Sequence, residues 1–445
     1  MTRHILRRGR RAAAIAGAAV VAVSLAACSG GGDGGGDPTA DGGDQSLTVL
    51  MISSHEGAST WLADEYKKKT GVTINPVIVP YDEIGSKLAL DQQSGADTID
   101  VAAPWYVSLG DLASDGAIQD LTDWVADTPD IDTDDFIPSI WEPYSQVDGK
   151  TYGLPFDGDT HVLFYNKDLL AENGFDAPPA TWDEYLQQAK TITENEKDKG
   201  IYGAAIFGQK SPLILGASFA NRLAGFGGEF LDADGAPVIN SPEAVAAAQS
   251  LVDINDYALP TPAETDFGAG NSAWFAGKVA FIENWTDLGV RSQDPESGSE
   301  VVDTWGVVTL PVGGDNTKTR ASLVAGFSWV IAAHTKKTEL AQDFIKWAAS
   351  SEVNAALLTA LPPTGIDPNR KSSLEDATYG EEFPEIQEVN RATLDGALAW
   401  PTGKNATEAA QVLTDELAKL LAGDGGTAQE ALDRVQATWE ELLGS

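Results

Sequence analysis

The chain has 445 residues and a formal net charge of −38, or −43 once the five arginines within its first eleven residues are left out. A chain this acidic repels nucleic acid and anionic lipid headgroups, so we expect neutral or cationic partners and no nucleic acid. The single cysteine cannot form an internal disulfide. The folded body therefore has to be stabilised by packing, and about 400 residues suffice for two or more cores.

The first 27 residues have the pattern of an export signal. A stretch rich in arginine precedes an apolar run over residues 12–26, which is short for a membrane span. The run ends in Leu25-Ala26-Ala27-Cys28, which resembles the bacterial lipobox, where cleavage exposes a cysteine that carries diacylglycerol. We therefore predict a lipid anchor on Cys28 and a location on the extracytoplasmic face of the cell membrane. An ordinary secretory signal is the alternative.

A linker separates this segment from the body of the chain. Residues 28–45 are rich in Gly and Asp and offer almost nothing to bury, which predicts a flexible tether. The apolar run Ser46–Ile52 then predicts a buried strand. A helix is predicted over residues 59–69, where Asp64–Lys68 and Glu65–Lys69 are favourable i,i+4 pairs.

Strands and helices alternate along the body. Residues 72–74 and 98–104 predict two more strands, and later strands are predicted at residues 278–283, 306–310 and 327–332. Helical patterns lie between them, and the alternation favours an α/β fold with a parallel sheet.

Helix starts are marked by capping residues. Residues 181–184 and 427–430 have the capping-box pattern, and Ser241 before Pro242 predicts an N-cap followed by a proline at the first helical position. Two helices are predicted to close the chain, the first of them ending at Gly423.

A series of short motifs is spread over the body. The motifs are Tyr152-Gly153-Leu154-Pro155, LFYNKDLL at residues 163–170, PPATWDE at 178–184, FAGKVAF at 275–281 followed by Trp285, GVVTLP at 306–311, and ELAQDFIK at 339–346. In this order, and over nearly the whole mature chain, they resemble the family 1 extracellular solute-binding proteins, the group that contains maltose-binding protein.

The resemblance implies an α/β fold with two lobes, the type II periplasmic-binding-protein fold, with parallel-dominated sheets flanked by helices and a hinged cleft. Open α/β sheets bind ligands beyond the carboxyl ends of their strands, which agrees with a cleft between the lobes. Crossing segments are expected near residues 156–159 and 308–311. The implied division of the chain is lobe 1 from residues 46–157 and 308–366, and lobe 2 from residues 158–307 and 367–445, the last including the C-terminal helices.

The resemblance also implies a role. The chain is expected to be a monomeric receptor of an ABC importer that binds a mono- or oligosaccharide or a polyol. It would deliver the solute to a two-subunit membrane permease with a cytoplasmic ATPase. It implies no enzymatic activity, no cofactor and no metal.

Aromatic candidates for the cleft follow from the chemistry of sugars, whose C–H patches pack on flat rings. The resemblance aligns Trp285 with a tryptophan that stacks on sugar in relatives. The other candidates lie just past predicted strand ends, in a strand where relatives often contact the ligand, or in a loop before the final helices. Of Phe327 and Trp329, we expect only one to face the cleft. The full aromatic set is Trp105, Tyr106, Trp285, Phe327, Trp329 and Trp400.

Polar candidates would bind the hydroxyl groups, for which carboxylates and amides are suitable partners. His55 and Glu56 follow the first strand, where relatives place polar contacts. The resemblance aligns Asp159 with a carboxylate that accepts sugar hydroxyls, and Asp157 either does the same or caps a hinge turn. Asn284 completes the set.

Three alternatives stay open at this point. Asp157 and Asp159 are the pair that a lipid-anchored glycoside hydrolase would need, and with His161 they would share one side of a strand, as ligands of a metal would. The third alternative is a receptor for a compatible solute, polyamine or peptide, since aromatic cages and acidic groups also suit cations.

Overall fold

The structure is a computed structural model, and it describes residues 45–158, 160–294, 296 and 298–444. The predicted signal, Cys28 and nearly all of the predicted linker lie outside these residues, as does Asp159. In the part of the chain that is described, no helix is long and apolar enough to cross a membrane.

Short strands and longer helices alternate throughout the body. The strands are β1 Ser46–Ile52, β2 Thr73–Val79, β3 Val101–Ala102, β4 Gln146–Val147, β5 Lys150–Thr151, β6 Leu154–Asp157, β7 His161–Asn166, β8 Tyr202–Ala205, β9 Val279–Trp285, β10 Trp305–Val308, β11 Ser322–Leu323, β12 Phe327–Ile331 and β13 Leu398–Ala399. The helices are α1 Glu56–Thr70, α2 Ile84–Ser94, α3 Leu109–Ser114, α4 Thr122–Ala126, α5 Pro138–Ser145, α6 Lys167–Glu172, α7 Trp182–Glu196, α8 Leu215–Phe226, α9 Pro242–Ile254, α10 Phe267–Phe275, α11 Asp287–Gln293, α12 Thr338–Ala348, α13 Ser351–Thr359, α14 Lys371–Leu374, α15 Ala377–Glu382, α16 Pro384–Thr393, α17 Ala406–Leu421 and α18 Ala428–Leu442.

Two main sheets organise these elements. The first has the strand order β2-β1-β3-β12-β6, and the second has the order β10-β7-β9-β8. Both sheets are mixed: β1 pairs in parallel with β2 and β3, whereas β12 is antiparallel to β3 and β6, and β7 is antiparallel to both of its neighbours. The expectation of parallel-dominated sheets is therefore corrected. Alternation of strands and helices in the sequence does not show strand direction when the chain passes from one sheet to the other.

Local sequence signals set most helix boundaries. Ser241 caps α9 by accepting from the backbone N–H of Ala244, and Thr427 and Glu430 form the complete capping box of α18. Helix α7 has only half of the predicted capping box. Thr181 accepts from Glu184 N–H, but the Glu184 carboxylate accepts from the backbone of Ala180.

The segment between β6 and β7 leads from the first sheet to the second and packs against residues 365–370. The Gly158 backbone N–H donates to the Asp367 carbonyl oxygen at 3.2 Å. A Cβ on Gly158 would lie 1.8 Å from the Pro368 carbonyl oxygen, so only glycine allows the two segments to approach this closely. Such a close crossing of few residues is suited to a hinge.

The C-terminal helices pack mainly on helices that flank the second sheet. Helix α17 lies against α8 and α18, and α18 lies against α9. Trp439 of α18 is fully buried and donates its indole N–H to the Ala409 carbonyl oxygen at 2.8 Å. Trp439 is therefore part of the core beneath the C-terminal helices.

Candidate functional site

A cavity lies where the ends of strands from both sheets meet. Its volume of ≈ 60 Å³ is room for about four to six water-sized spheres. The first sheet and its loops contribute one wall, the second sheet and its loops the other, and residues 365–367 a third side. The lining residues are Ile52, Ser54, His55, Tyr81, Asp157, Leu213, Ile214, Phe267, Trp285, Asp287, Ala325, Phe327, Gly365 and Asp367.

Sheet topology explains why these residues meet. Strands β1 and β2 are parallel, so the turns that follow them lie at the same edge of the sheet and bring His55 and Tyr81 together. Asp157 ends β6, and Phe327 starts β12 opposite it, because those strands are antiparallel. The cavity is thus at the carboxyl ends of parallel strands, where open α/β sheets usually bind ligands.

Four residues singled out in the sequence come together in this cavity: His55, Asp157, Trp285 and Phe327. The His55 ring meets the Phe327 ring edge-on, with centroids 4.9 Å apart. Trp285 is half-buried and has its ring against His161, at 4.2 Å between centroids. Flat aromatic surface therefore faces the cavity from both sheets.

Other predicted aromatic residues are buried away from this cavity. Trp329 is fully buried and packs against Phe156 at 4.2 Å between ring centroids. Strict strand alternation does not apply to this pair, because the register of β12 against β6 shifts between Phe327 and Ser328. Depth separates them: Phe327 begins the strand at the cavity, and Trp329 lies further into the core.

Tyr106 and Trp400 are both buried and are joined by a hydrogen bond. The Tyr106 hydroxyl donates to the Leu323 carbonyl oxygen at 2.6 Å and accepts from the Trp400 backbone N–H at 2.8 Å. The Trp400 ring stacks on Phe230 with centroids 4.7 Å apart. Neither residue lines the cavity, since the chain around residue 400 closes over Tyr106.

Glu56, Asn284 and Trp105 also lie outside the cavity. Glu56 is exposed at the start of α1, and the buried Asn284 amide is engaged by Asn271 and by the Trp285 backbone N–H. Trp105 lines a neighbouring groove, with an indole N–H that has no partner among the described residues.

Carboxylates crowd one side of the cavity. His55 Nε2 lies 3.2 Å from Asp157 Oδ2, and the other Asp157 oxygen accepts from the Asp367 backbone N–H at 2.8 Å. Asp367 accepts in turn from the Thr286 hydroxyl and from Thr160 N–H. Burial raises the pKa of Asp367 well above its usual range, and repulsion from the carboxylates of Asp157 and Asp287 adds to this shift.

Asp287 is the third carboxylate of this cluster. Burial raises its pKa, with repulsion from Asp157 acting in the same direction, while Arg291 and His55 oppose the shift. Sequence reasoning missed both Asp287 and Asp367. Asp287 follows the end of β9 by two residues and had the same strand-end signal as His55, whereas nothing local marks Asp367.

His161 belongs to the protein interior rather than to a metal site. Its Nδ1 faces the Asn221 side chain, and burial lowers the pKa of this histidine to about 3, so the ring is neutral at physiological pH. Over the described ranges, no group of three or more His, Cys, Asp or Glu side chains is arranged to hold a metal ion. Asp159, the other residue of that alternative, lies outside these ranges.

The model of a family described as bacterial extracellular solute-binding proteins matches residues 53–355. The chain belongs to this family. This solute-binding protein is therefore a receptor that acts outside the cytoplasm, and not an enzyme, which confirms the resemblance seen in its motifs and removes the glycoside hydrolase alternative.

Individual relatives agree with this assignment. A probable ABC transporter-binding protein of Deinococcus radiodurans is 31% identical over 310 residues, which are 68% of this chain and 71% of the relative. The diacetylchitobiose binding protein DasA of Streptomyces coelicolor is 28% identical over 353 residues, 75% of each chain.

A solved structure confirms the predicted fold. The ABC transporter solute-binding protein of Agrobacterium radiobacter K84 in complex with ribitol superposes with a TM-score of 0.77 and 27% identity, covering 89% of this chain and 98% of the other. The solute-binding protein therefore has the two-lobed type II architecture, with the mixed sheets described above.

Proposed function

We propose that this solute-binding protein is the receptor of an ABC importer and that its cleft binds a polyol or a carbohydrate of monosaccharide size. The observation that carries this proposal is the small cavity with aromatic rings from both sheets and buried carboxylates on one side. Carboxylates accept hydroxyl hydrogens, and aromatic faces pack on C–H groups, which are the two surfaces that a polyol presents.

The size of the cavity favours a small carbohydrate over a large one. Relatives differ in this respect, since one is described as binding diacetylchitobiose, and the ribitol complex holds a polyol. A cavity of ≈ 60 Å³ suits the smaller solute. Trp285 and Phe327 would supply its aromatic contacts, and Asp157, Asp287 and Asp367 its hydroxyl acceptors.

The same carboxylates support a second candidate, a cationic solute. His55, Asp157, Asp287 and Asp367 are all buried, and Arg291 is the cation that contacts the cluster, at 3.6 Å from Asp287. An amine enclosed by aromatic rings and acids would be stabilised by both. The raised pKa values of Asp287 and Asp367 weigh against this candidate, because protonation reduces the charge available to a cation.

A thermal-shift screen of the purified protein distinguishes the two candidates. The panel contains alditols, monosaccharides, disaccharides, betaines and polyamines. We expect alditols or monosaccharides to raise the melting temperature most, because a ligand that binds only the folded state stabilises it. A shift with betaines or polyamines and none with any carbohydrate would overturn the polyol proposal in favour of the cationic solute.

We also propose that a lipid on Cys28 anchors a monomeric receptor and that the two main sheets are the centres of its lobes. The proposal rests on the lipobox-like motif and on the crossing between β6 and β7. Cys28→Ala is expected to move the protein from the membrane fraction to the soluble fraction. Retention of the variant in the membrane would argue against the anchor. Light scattering tests whether the purified protein is a monomer.

A further inference from the structure

Tyr81 lies between the cavity described above and a larger groove next to it. The groove has a volume of ≈ 320 Å³ and is lined by the turn before α2, by α3, by residues 211–213 and by the start of α17. Two residues line both spaces, Tyr81 from the loop after β2 and Leu213 from the loop before α8. They form the wall that separates the two spaces.

A hydrogen bond holds the tyrosine in this position. The Tyr81 hydroxyl donates to Gln209 Oε1 at 3.0 Å, across 128 residues of sequence. Tyr81 follows a strand of the first sheet and Gln209 follows a strand of the second, so the bond joins the two walls of the cleft. The backbone of Gln209 is itself fixed, since its N–H donates to the Thr265 carbonyl oxygen at 3.1 Å.

The groove beyond Tyr81 has features that suit a sugar ring. Trp105 lines it, and the indole N–H of Trp105 is buried without a partner among the described residues. A Trp with an unused donor beside open space is a suitable surface for a second pyranose ring. The wall of Tyr81 and Leu213 is what keeps such a ring separate from a solute in the inner cavity.

We propose that Tyr81, held in place by its hydrogen bond to Gln209, is the residue that limits the length of the solute. With the ring in place, the inner cavity accepts one polyol or monosaccharide unit. With the ring removed, the cavity and the groove join, and a glycosyl extension passes from the first into the second. This inference rests on the proposed function, because it concerns the same cleft and the same class of solute.

Tyr81→Ala removes the wall, whereas Tyr81→Phe keeps the ring and removes only the hydroxyl group, which donates to Gln209. Affinities are measured by titration calorimetry for two matched pairs, glucitol with maltitol and glucose with maltose. Within each pair, we expect Tyr81→Ala to shift the ratio of the two affinities toward the longer carbohydrate by about tenfold or more. Tyr81→Phe should keep the wild-type ratio but release solute roughly two- to tenfold faster, as the loss of one hydrogen bond implies. Tryptophan fluorescence in stopped flow measures that rate.

Leu213→Ala opens the wall from the opposite side and is expected to shift the ratio in the same direction. Tyr257→Ala is the matched control, because Tyr257 is half-buried like Tyr81 and lines neither space. An unchanged ratio in both Tyr81→Ala and Leu213→Ala, or an equal loss for both members of each pair, would overturn the inference.

Failure of the proposed function gives a different result. In that case the wild-type protein binds none of the four carbohydrates but does bind amines. The same variants are then compared with putrescine and spermine, and a shift toward spermine in Tyr81→Ala supports the role of the wall. An unchanged ratio of the two amines contradicts it.

Discussion

Two buried polar clusters lie on strand β9 and just beyond its end, and they differ in their balance of charge. Glu283 belongs to the first, where both of its carboxylate oxygens accept from the terminal nitrogens of Arg222 at 2.8 and 2.9 Å. The second cluster, His55 with Asp157, Asp287 and Asp367, lies beyond the end of β9 and lines the cavity. Trp285, two residues after Glu283, lines the same cavity as the second cluster.

The difference indicates which cluster serves stability and which serves binding. In the first, the guanidinium also stacks over Trp182 at 4.6 Å, and Asn221 and Tyr185 donate to the same carboxylate, so the charges are matched within the protein. Among the described residues of the second, three carboxylates lie near one histidine and one arginine beside open space. A buried cluster whose charges are unequal, and which borders a cavity, is suited to a partner from outside the chain.

The largest expected effect is a loss of stability when the first cluster, Arg222 with Glu283, is broken. Arg222→Ala leaves Glu283 buried without its cation, which should lower the free energy of unfolding by roughly 3–5 kcal/mol. Urea denaturation measures this change. Arg391→Ala is the matched control, because its pair with Glu375 is on the surface and its loss should be hard to detect. Equal stability of the two variants would mean that the first cluster does not stabilise the fold.

Removing the aromatic face of the second cluster should affect binding rather than folding. Trp285→Ala is expected to weaken solute binding by roughly 2 kcal/mol, or about 30-fold, as for aromatic residues at the centre of an interface. Trp61→Ala is the control, because Trp61 is half-buried against Trp347 and does not line the cavity. Calorimetry measures the affinity. Similar affinities in wild type and Trp285→Ala would remove Trp285 from the site.

The smallest expected effect is a change in how stability depends on pH. The folded protein raises the pKa of Asp287, so it binds this proton more tightly than the unfolded chain does. The stability that this group contributes is therefore complete below the unfolded pKa, near 4, and is lost as pH rises through the folded pKa. Other charged groups around it are Arg291, Asp157, His55 and Asp367.

Asp287→Asn should remove the loss of stability that ionisation of Asp287 causes as the pH rises. The free energy of unfolding of the variant, relative to wild type, is expected to increase between pH 4 and neutral pH, by roughly 1.4 kcal/mol for each unit by which the pKa is raised. Urea denaturation at several pH values checks the sign. A relative stability that falls with rising pH would show that Asp287 is stabilised as the ion, contrary to the contrast between the clusters.

Much of the fold follows from local sequence. Apolar runs predicted β1 and the start of β9, and Ser241 and Thr427 marked helix starts that the structure has at the same residues. Strand-end position and the family resemblance together named His55, Asp157, Trp285 and Phe327 as site candidates, and the structure brings these four into one cavity. Each of these signals depends on residues a few positions apart, which is why the sequence alone determined them.

Tertiary packing decided the rest of the site. Asp367 joins Asp157 across 210 residues, and Tyr81 meets Gln209 across 128, contacts that no local pattern encodes. The direction of β7 and β12, and the depth that separates Trp329 from Phe327, were likewise settled by which segments pack together. The sequence by itself determined many of the elements, the family and the sheet edge at which the cavity lies. Only the tertiary structure decided which side chains line the cavity, because their burial depends on distant segments of the chain.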